Sequence, residues 1–384
     1  MKNFDVAVIG GGLIGVSIAL ELAAEKLRVV VLERQEPGNE ASWAAAGMLS
    51  PAPDSPRDAP LVPLSRESLR LYPDFVSTVE EASGKSAGFA REGALEVFFG
   101  PQGEAERNSR ISALRAFQIA AEPIQAVTAR EWERPLAPNA AAAAWLPEEC
   151  SVEPRSLMRA ALVAAKQRGV EVRPNCGVTH LLREGDRCTG VVAGEARFAA
   201  GHVVVAAGCY SSDVASEAGT LSEYWPTRPV RGQMLALRPR APSLQRVLRC
   251  ERGYLVPRAD GRIVAGSTSE EAGFEKRTTD EGVRKILGVA RELVPDLADA
   301  QLIEAWAGLR PGTPDDLPIL GPTGIDGLLA ATGHYRNGIL LAPVTAKLIR
   351  EWIVGGRASL AAEAFSPLRF VRNEVRPQES GAAG

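Results

Sequence analysis

Three groups of residues in this 384-residue chain have types and spacings suited to chemistry. The first is Gly10, Gly12 and Gly15 in "VIGGGLIG", a G-x-G-x-x-G that follows an apolar run and opens a helical pattern. Such glycines let the backbone turn tightly and let a pyrophosphate reach the N–H groups of a helix N-terminus. Glu33 ends the next apolar run, 18 positions past Gly15, where a carboxylate can accept from both hydroxyls of an adenosine ribose. The second group is Arg310 in "GLRPG" with Tyr254 in "GYLVP". A guanidinium offers paired donors to a carboxylate, although by position alone Arg310 reads equally as a salt bridge and Tyr254 as a half-buried strand aromatic. The third is "GHYRNGILLAP", residues 333–343, which sets His334, Tyr335, Arg336 and Asn337 at the mouth of an apolar segment. A polar turn leading into a core helix would look the same.

These groups need elements to hold them. Short valine-rich runs starting at Asp5, Arg28, Val170, His202 and Gly327 predict buried parallel strands, which need cover on both faces. Helical patterns run over residues 13–26, 155–168 and 340–354, the last compatible with Pro343 only in its first turn. "GALEVFFG", "PVRGQMLALRP" and "GYLVPRADGRIVAGST" predict longer, partly alternating strands, the last pair joined at Asp260-Gly261. Thr278 and Glu281 have capping-box spacing ahead of an amphipathic helix, and residues 50–63 read as a connecting loop. The pattern predicts an α/β chain with a Rossmann-like nucleotide-binding domain over 1–60, 150–220 and 308–365. An antiparallel β-rich substrate domain over 61–149 and 221–307 is inserted into it, and a mobile tail covers 366–384.

Composition narrows the classes. Apolar residues make up 45% and charged residues 24%, as in ordinary globular proteins. A net charge of −3 gives no electrostatic case for nucleic acid or an acidic membrane surface. Five dispersed cysteines without a C-x-x-C pair predict reduced thiols in the cytoplasm, and three histidines without ligand spacing predict no metal site. Glycines break the first apolar run where a secretory signal would need continuity, and no segment is apolar for the roughly 20 residues a span requires. After Glu33 the chain enters "EASWAAAGMLSP" instead of further alternating β/α units. Ala44, Ala45, Ala46 and Gly47 would let backbone lie flat on a planar ring, and would equally suit a helix-packing face.

Taken with "SWAAAGM", "AWAGLRPGTPDDLPILG" and "GHYRNGILLAP", the chain resembles the FAD-dependent amine oxidases of the D-amino-acid oxidase family. Within that family it is most similar to the glycine oxidases of thiamine biosynthesis, over residues 4–363. The resemblance implies a glutathione-reductase-type FAD-binding domain and non-covalent FAD. It places Leu13, Ile14, Glu33 and Arg34 along the adenosine and pyrophosphate, and Ser42, Ala46, Gly47 and Met48 against pyrophosphate and flavin. Val178, at the end of its strand, would pair its backbone with the adenine edge. His334, Tyr335, Arg336, Asn337, Gly338, Ile339 and Leu340 would wrap the pyrimidine side of the flavin. There the N–H groups of residues 337–340 and the charge of Arg336 would stabilise negative charge at the N1–C2 oxygen region.

The same resemblance makes Arg310 the chief ligand of a substrate carboxylate, with Tyr254 and Arg336 in the pocket. The implied reaction takes hydride from a neutral amine to flavin N5, hydrolyses the imine with water and returns the electrons to oxygen as hydrogen peroxide. Glycine, small amines and small D-amino acids are the implied substrates, and oxygen is the second one. A homo-oligomer and hand-off of the imine to a thiazole synthase fall within its scope, whereas nucleic acid and membrane do not. Ser269 stands where some glycine oxidases carry methionine, and Arg252 where some carry histidine, both near the substrate mouth. Three rival readings fit the same residues: a D-amino-acid dehydrogenase-like flavoenzyme using a non-oxygen acceptor, a non-catalytic flavin sensor, and an NAD-dependent dehydrogenase.

Overall fold

The strand Lys2–Ile9 pairs in parallel with Val29–Leu32 on one side and Ala196–Val205 on the other, in a computed structural model that describes residues 2–53, 55–217, 225–240 and 244–371. Glu171–Arg173 extends this sheet beyond Val29–Leu32, and Leu328–Thr332 with Ile319–Pro322 extends it beyond Ala196–Val205. The valines of "VVVL" are buried on both faces, as a central parallel strand requires. One face is covered by Leu13–Ala24, Pro154–Gln167 and Ala342–Gly355. Over the other face folds the hairpin of His180–Glu184 and Arg187–Ala193. That hairpin also explains why the strand expected from His202 begins at Ala196: Arg187–Ala193 pairs with its first half.

Residues 50–63 are not one continuous loop. A 3-10 turn at Pro56–Asp58, capped by Ser55, leads into the helix Leu61–Ser83. Pro63 falls in the first turn, where the missing N–H costs nothing, so the proline-rich composition hid a helix start. The expected boundary at residue 61 also shifts. This helix buries Leu61, Leu64, Tyr72, Val76 and Val79 in the core beneath the parallel sheet's helices, because its apolar face matches Pro154–Gln167 and Ala342–Gly355.

The second sheet has the order Gln301–Gly312, Arg228–Arg238, Ile263–Gly266, Gly253–Pro257, Val247–Cys250, Ala94–Phe99, Ala140–Leu146, Glu122–Gln125. All its pairs are antiparallel except Val247–Cys250 with Ala94–Phe99. Its first strand runs on to Gly312, so residues 308–312, expected in the nucleotide-binding unit, still belong to this sheet. One face buries Leu95, Leu235, Leu248, Leu255 and Ala265 together with Ile286, Val289, Ala290 and Leu293 of the helix Asp280–Leu293. That helix is capped by Thr279 rather than Thr278: its hydroxyl accepts from Gly282 N–H at 3.1 Å, and the Gln233 side chain holds Thr279 from the neighbouring strand.

On the other face the register lines up a row of directly paired residues, Trp306, Met234, Gly266, Tyr254, Arg249 and Glu96. Because side chains alternate along a strand, Arg310 and Gly308 share that face with Val230 and Gly232. In the expected tail, Leu368–Val371 forms a short helix whose Arg369 grips Asp315 at 2.8 and 3.0 Å; residues 372–384 lie outside the described residues. Among the described residues no helix is long and apolar enough to cross a membrane, and no cluster of His, Cys, Asp or Glu could hold a metal. All five cysteines are free.

Candidate active site

A cavity of about 760 Å³ lies between the parallel sheet's carboxyl edge and the polar face of the antiparallel sheet. At its first end the glycine turn supplies Gly10, Gly12, Leu13 and Ile14. The N–H of Leu13 donates to Ser42 Oγ at 2.9 Å, while those of Gly12 and Ile14 have no acceptor among the described residues. Gly15 does not line the cavity. It sits behind the turn, where an added Cβ would lie 2.0 Å from the Gly10 carbonyl oxygen, so its role is to let the helix close onto the strand.

Glu33 is buried at 8% exposure with its carboxylate accepting from Gly11 N–H at 2.7 Å and Gln35 N–H at 2.9 Å. Arg34 lies over the Tyr210 ring at 3.3 Å, and Phe274 stacks on Tyr210 from the antiparallel layer. Sequence reasoning missed these two aromatics: Tyr210 ends the short 3-10 turn Gly208–Tyr210 and Phe274 lies in a loop, neither with a periodic pattern. Val178 lines the cavity from a loop between Glu171–Arg173 and His180–Glu184, not from a strand end. Its backbone N–H and C=O make no hydrogen bond among the described residues, so its peptide edge is open to a ligand.

Ala46, Gly47 and Met48 form the middle of the wall, opposite residues 334–339. His334 is 3% exposed, with Nε2 at 3.0 Å from Thr345 Oγ1, and burial pushes its pKa down to about 3, so it is neutral. The helix begins at Ala342, not Leu340, and Asn337 N–H is taken by the His334 carbonyl at 2.8 Å. The open donors are therefore the N–H groups of Gly338, Ile339 and Leu340, which have no acceptor among the described residues. Leu340 stands outside the lining. Its carbonyl accepts from Ser68 at 2.5 Å, and that of Ile339 from Tyr72 at 3.0 Å, so the long helix of residues 61–83 pins this turn from behind. Tyr335 lines the cavity, and Arg336 is exposed at the mouth with its guanidinium 5.1 Å from the Tyr335 ring centre.

At the far end Arg310 donates to Ser267 Oγ at 2.8 Å and to the Thr268 carbonyl at 3.1 Å. These contacts leave donors of the guanidinium fork unused, and among the described residues no carboxylate pairs with it. Burial pulls its pKa below the ordinary arginine value; nearby Tyr254 opposes the shift and Arg336 adds to it. Tyr254 Oη lies 3.5 Å from Met234 Sδ, and Ser269 Oγ 3.5 Å from Tyr335 Oη. Arg252, at the rim, is engaged by Glu292. Ser267 and Thr268, the supports of Arg310, carried no signal in the sequence.

A family model described as "FAD dependent oxidoreductase" matches residues 5–352. The chain belongs to that family. This FAD-dependent oxidoreductase is 36% identical over 381 residues to the bifunctional protein ThiO/ThiG of Synechocystis, covering 97% of its own length and 55% of that protein's. It thus spans about half the length of such bifunctional relatives. To the glycine oxidase of Pseudomonas aeruginosa it is 33% identical, covering 94% of this chain and 98% of that one. The crystal structure of glycine oxidase from Geobacillus kaustophilus matches its fold with a TM-score of 0.89 at 31% identity, over 96% of this chain and 99% of that one. The open N–H groups at Gly12 and Ile14, the buried carboxylate of Glu33 and the open N–H groups at Gly338 and Ile339 fit FAD along the length of the cavity.

Proposed function

We propose that this oxidoreductase deaminates glycine, sarcosine and small D-amino acids oxidatively, with oxygen as electron acceptor and hydrogen peroxide as product. One observation carries the reading: Arg310 is set into the cavity wall, drawn away from water, with unused donors and, among the described residues, no carboxylate to pair with. A cation so placed costs free energy unless an anion completes it, and a substrate carboxylate is the anion that fits its fork. Tyr254, on the same face, adds a hydroxyl donor.

FAD, when bound without a covalent link, supplies the two-electron acceptor and its reoxidation by oxygen. The chain's own share is positional. Arg310 and Tyr254 hold the carboxylate, which fixes the α-carbon relative to the ring. The N–H groups of Gly338 and Ile339, with Arg336 at the mouth, favour negative charge at the facing edge of the cofactor. No side chain here needs to act as an acid or base, and His334, neutral and bonded to Thr345, is a structural support.

The names of the relatives support the substrate choice, and the ThiO/ThiG relatives support hand-off of the imine to a thiazole synthase in thiamine synthesis. The test is anaerobic mixing of the yellow holoenzyme with glycine, sarcosine, D-alanine and L-alanine, followed by admission of oxygen. Bleaching by the first three and peroxide on reoxidation are expected. Bleaching without peroxide would favour a dehydrogenase with another acceptor, and no bleaching by any amine would overturn the reading.

A further inference from the structure

The antiparallel sheet places a bare glycine beneath the Arg310 guanidinium. Arg310 is directly opposite Val230, and Gly232 opposite Gly308, so Gly232 is the diagonal neighbour of Arg310 on the cavity face. Diagonal neighbours in an antiparallel pair are within reach of long side chains, and Arg310 uses that reach. A Cβ added at Gly232 would lie 2.2 Å from Arg310 Nη1 and 2.4 Å from both Cζ and Nη2. Real Cβ atoms do not approach other atoms so closely, and three atoms of one rigid plane cannot all move aside without the plane lifting. The guanidinium is held along its edge by Ser267 Oγ and the Thr268 carbonyl, the two contacts that fix its orientation.

Gly232 is in an extended strand, paired with Gly308 on one side and next to the Arg231–Glu270 bridge on the other, so no turn or left-handed backbone explains the absence of a side chain there. Strand glycines cost stability. Here the compensation is close approach: the guanidinium lies flat on the strand. The pattern repeats at Gly266, where a Cβ would lie 2.4 Å from Met234 Sδ and 3.1 Å from Tyr254 Oη.

We infer that Gly232 is a positioning residue for substrate binding: it is the floor on which Arg310 lies flat, and any side chain there tilts the fork away from the carboxylate. This rests on the assignment of Arg310 to the substrate carboxylate, and the test keeps the two apart. Four holoenzymes are compared: the parent, Gly232→Ala, Arg310→Ala and the double variant. Each is titrated with acetate, which is glycine without its amine, through the change in flavin absorbance, and each is assayed for the KM of glycine. FAD content and Tm are read in parallel.

Gly232→Ala is expected to weaken acetate binding and raise KM about tenfold or more, the scale of a lost charge-assisted hydrogen bond, with kcat less affected. In the Arg310→Ala background the same substitution should change neither quantity, since residues that act through one contact are not additive. Equal effects of Gly232→Ala in both backgrounds, or none in the parent background, would overturn the inference and leave the Arg310 assignment standing. Unchanged acetate binding in Arg310→Ala would instead overturn that assignment, and the inference with it. Should Gly232→Ala alone fail to fold, the double variant decides: recovery confirms the clash with the guanidinium, and continued failure refutes it.

Discussion

The Glu33 carboxylate accepts the N–H of Gly11 at 2.7 Å, so the acidic end of one strand braces the glycine turn at the end of its neighbour. The residue proposed for the ribose therefore also shapes the pyrophosphate site. Glu33→Ala should remove both roles and weaken FAD binding by about 1.5–3 kcal/mol, the range for hydrogen bonds to a charged group. That corresponds to roughly 10-fold to 150-fold in Kd. Flavin fluorescence on dilution of the holoenzyme measures it, and an unchanged Kd would remove Glu33 from the cofactor site.

Arg310→Ala should retain FAD, because its contacts are to Ser267 and Thr268 and not to the glycine turn. The KM for glycine should rise strongly: truncating one partner of a buried charged pair costs about 2–5 kcal/mol, roughly 30-fold or more. Arg310→Lys should recover only part, since an ammonium cannot reproduce the planar fork. Steady-state kinetics at fixed oxygen check both, and an unchanged KM in the alanine variant would refute the role.

His334 sets an acid limit on stability. Burial holds its pKa near 3 in the folded chain, against 6.5 for the free side chain. Above pH 6.5 it is neutral in both states and takes no part. Between pH 6.5 and about 3 the unfolded chain binds a proton that the folded chain refuses, so stability falls with pH by about 1.4 kcal/mol per unit from this group. His334→Gln should remove that slope while keeping a partner for Thr345. Urea midpoints at pH 7.5 and pH 5 would show it, and equal pH dependence in parent and variant would count against it.

Arg249 joins the two carboxylates of the buried network, donating to Glu96 Oε2 at 2.8 Å and Glu149 Oε1 at 2.9 Å. Burial works against ionisation of Glu96, but Arg249 and Arg110 hold its pKa below the ordinary value, whereas burial raises that of Glu149. Arg249→Met would leave Glu149 without its cation and Glu96 with Arg110 alone, at a cost of about 3–5 kcal/mol. Since Glu149 also holds Ser50 on the cavity wall, flavin retention should fall with Tm. A calorimetric scan with and without added FAD tests this, and a Tm within a degree or so of the parent would not fit.

Ser269 lines the cavity close to Tyr335 and is short. Ser269→Met should depress D-alanine turnover more than glycine turnover, by the roughly 1–3 kcal/mol that pocket-filling groups typically shift selectivity. Paired kcat/KM values for the two substrates decide it. Equal losses on both would mean that Ser269 does not face the substrate side chain.

The nucleotide-binding turn and its partners are legible in the chain without any tertiary information. Gly10, Gly12, Glu33 and the valine runs are contiguous in the chain, and local steric rules dictate what a strand, a glycine turn and a helix do in that order. The sequence also marks residues 333–343 through their own composition. Other features arise from contacts between distant segments, which no local pattern encodes. The start of the helix Leu61–Ser83 reads as loop because Pro60 and Pro63 fall at its cap and first turn, where a helix tolerates them, and only docking on two distant helices shows its apolar face. The free N–H groups of the flavin turn begin at Gly338 and not Asn337, because Asn337 is spent on the His334 carbonyl. Tyr210 came to lie beneath Arg34, and Ser267 and Thr268 beside Arg310, through contacts between residues far apart in sequence. The floor at Gly232 is likewise a product of strand register: which residue lies diagonal to Arg310 is set by how two strands pair, and pairing is decided by the burial of the sheet's opposite, apolar face.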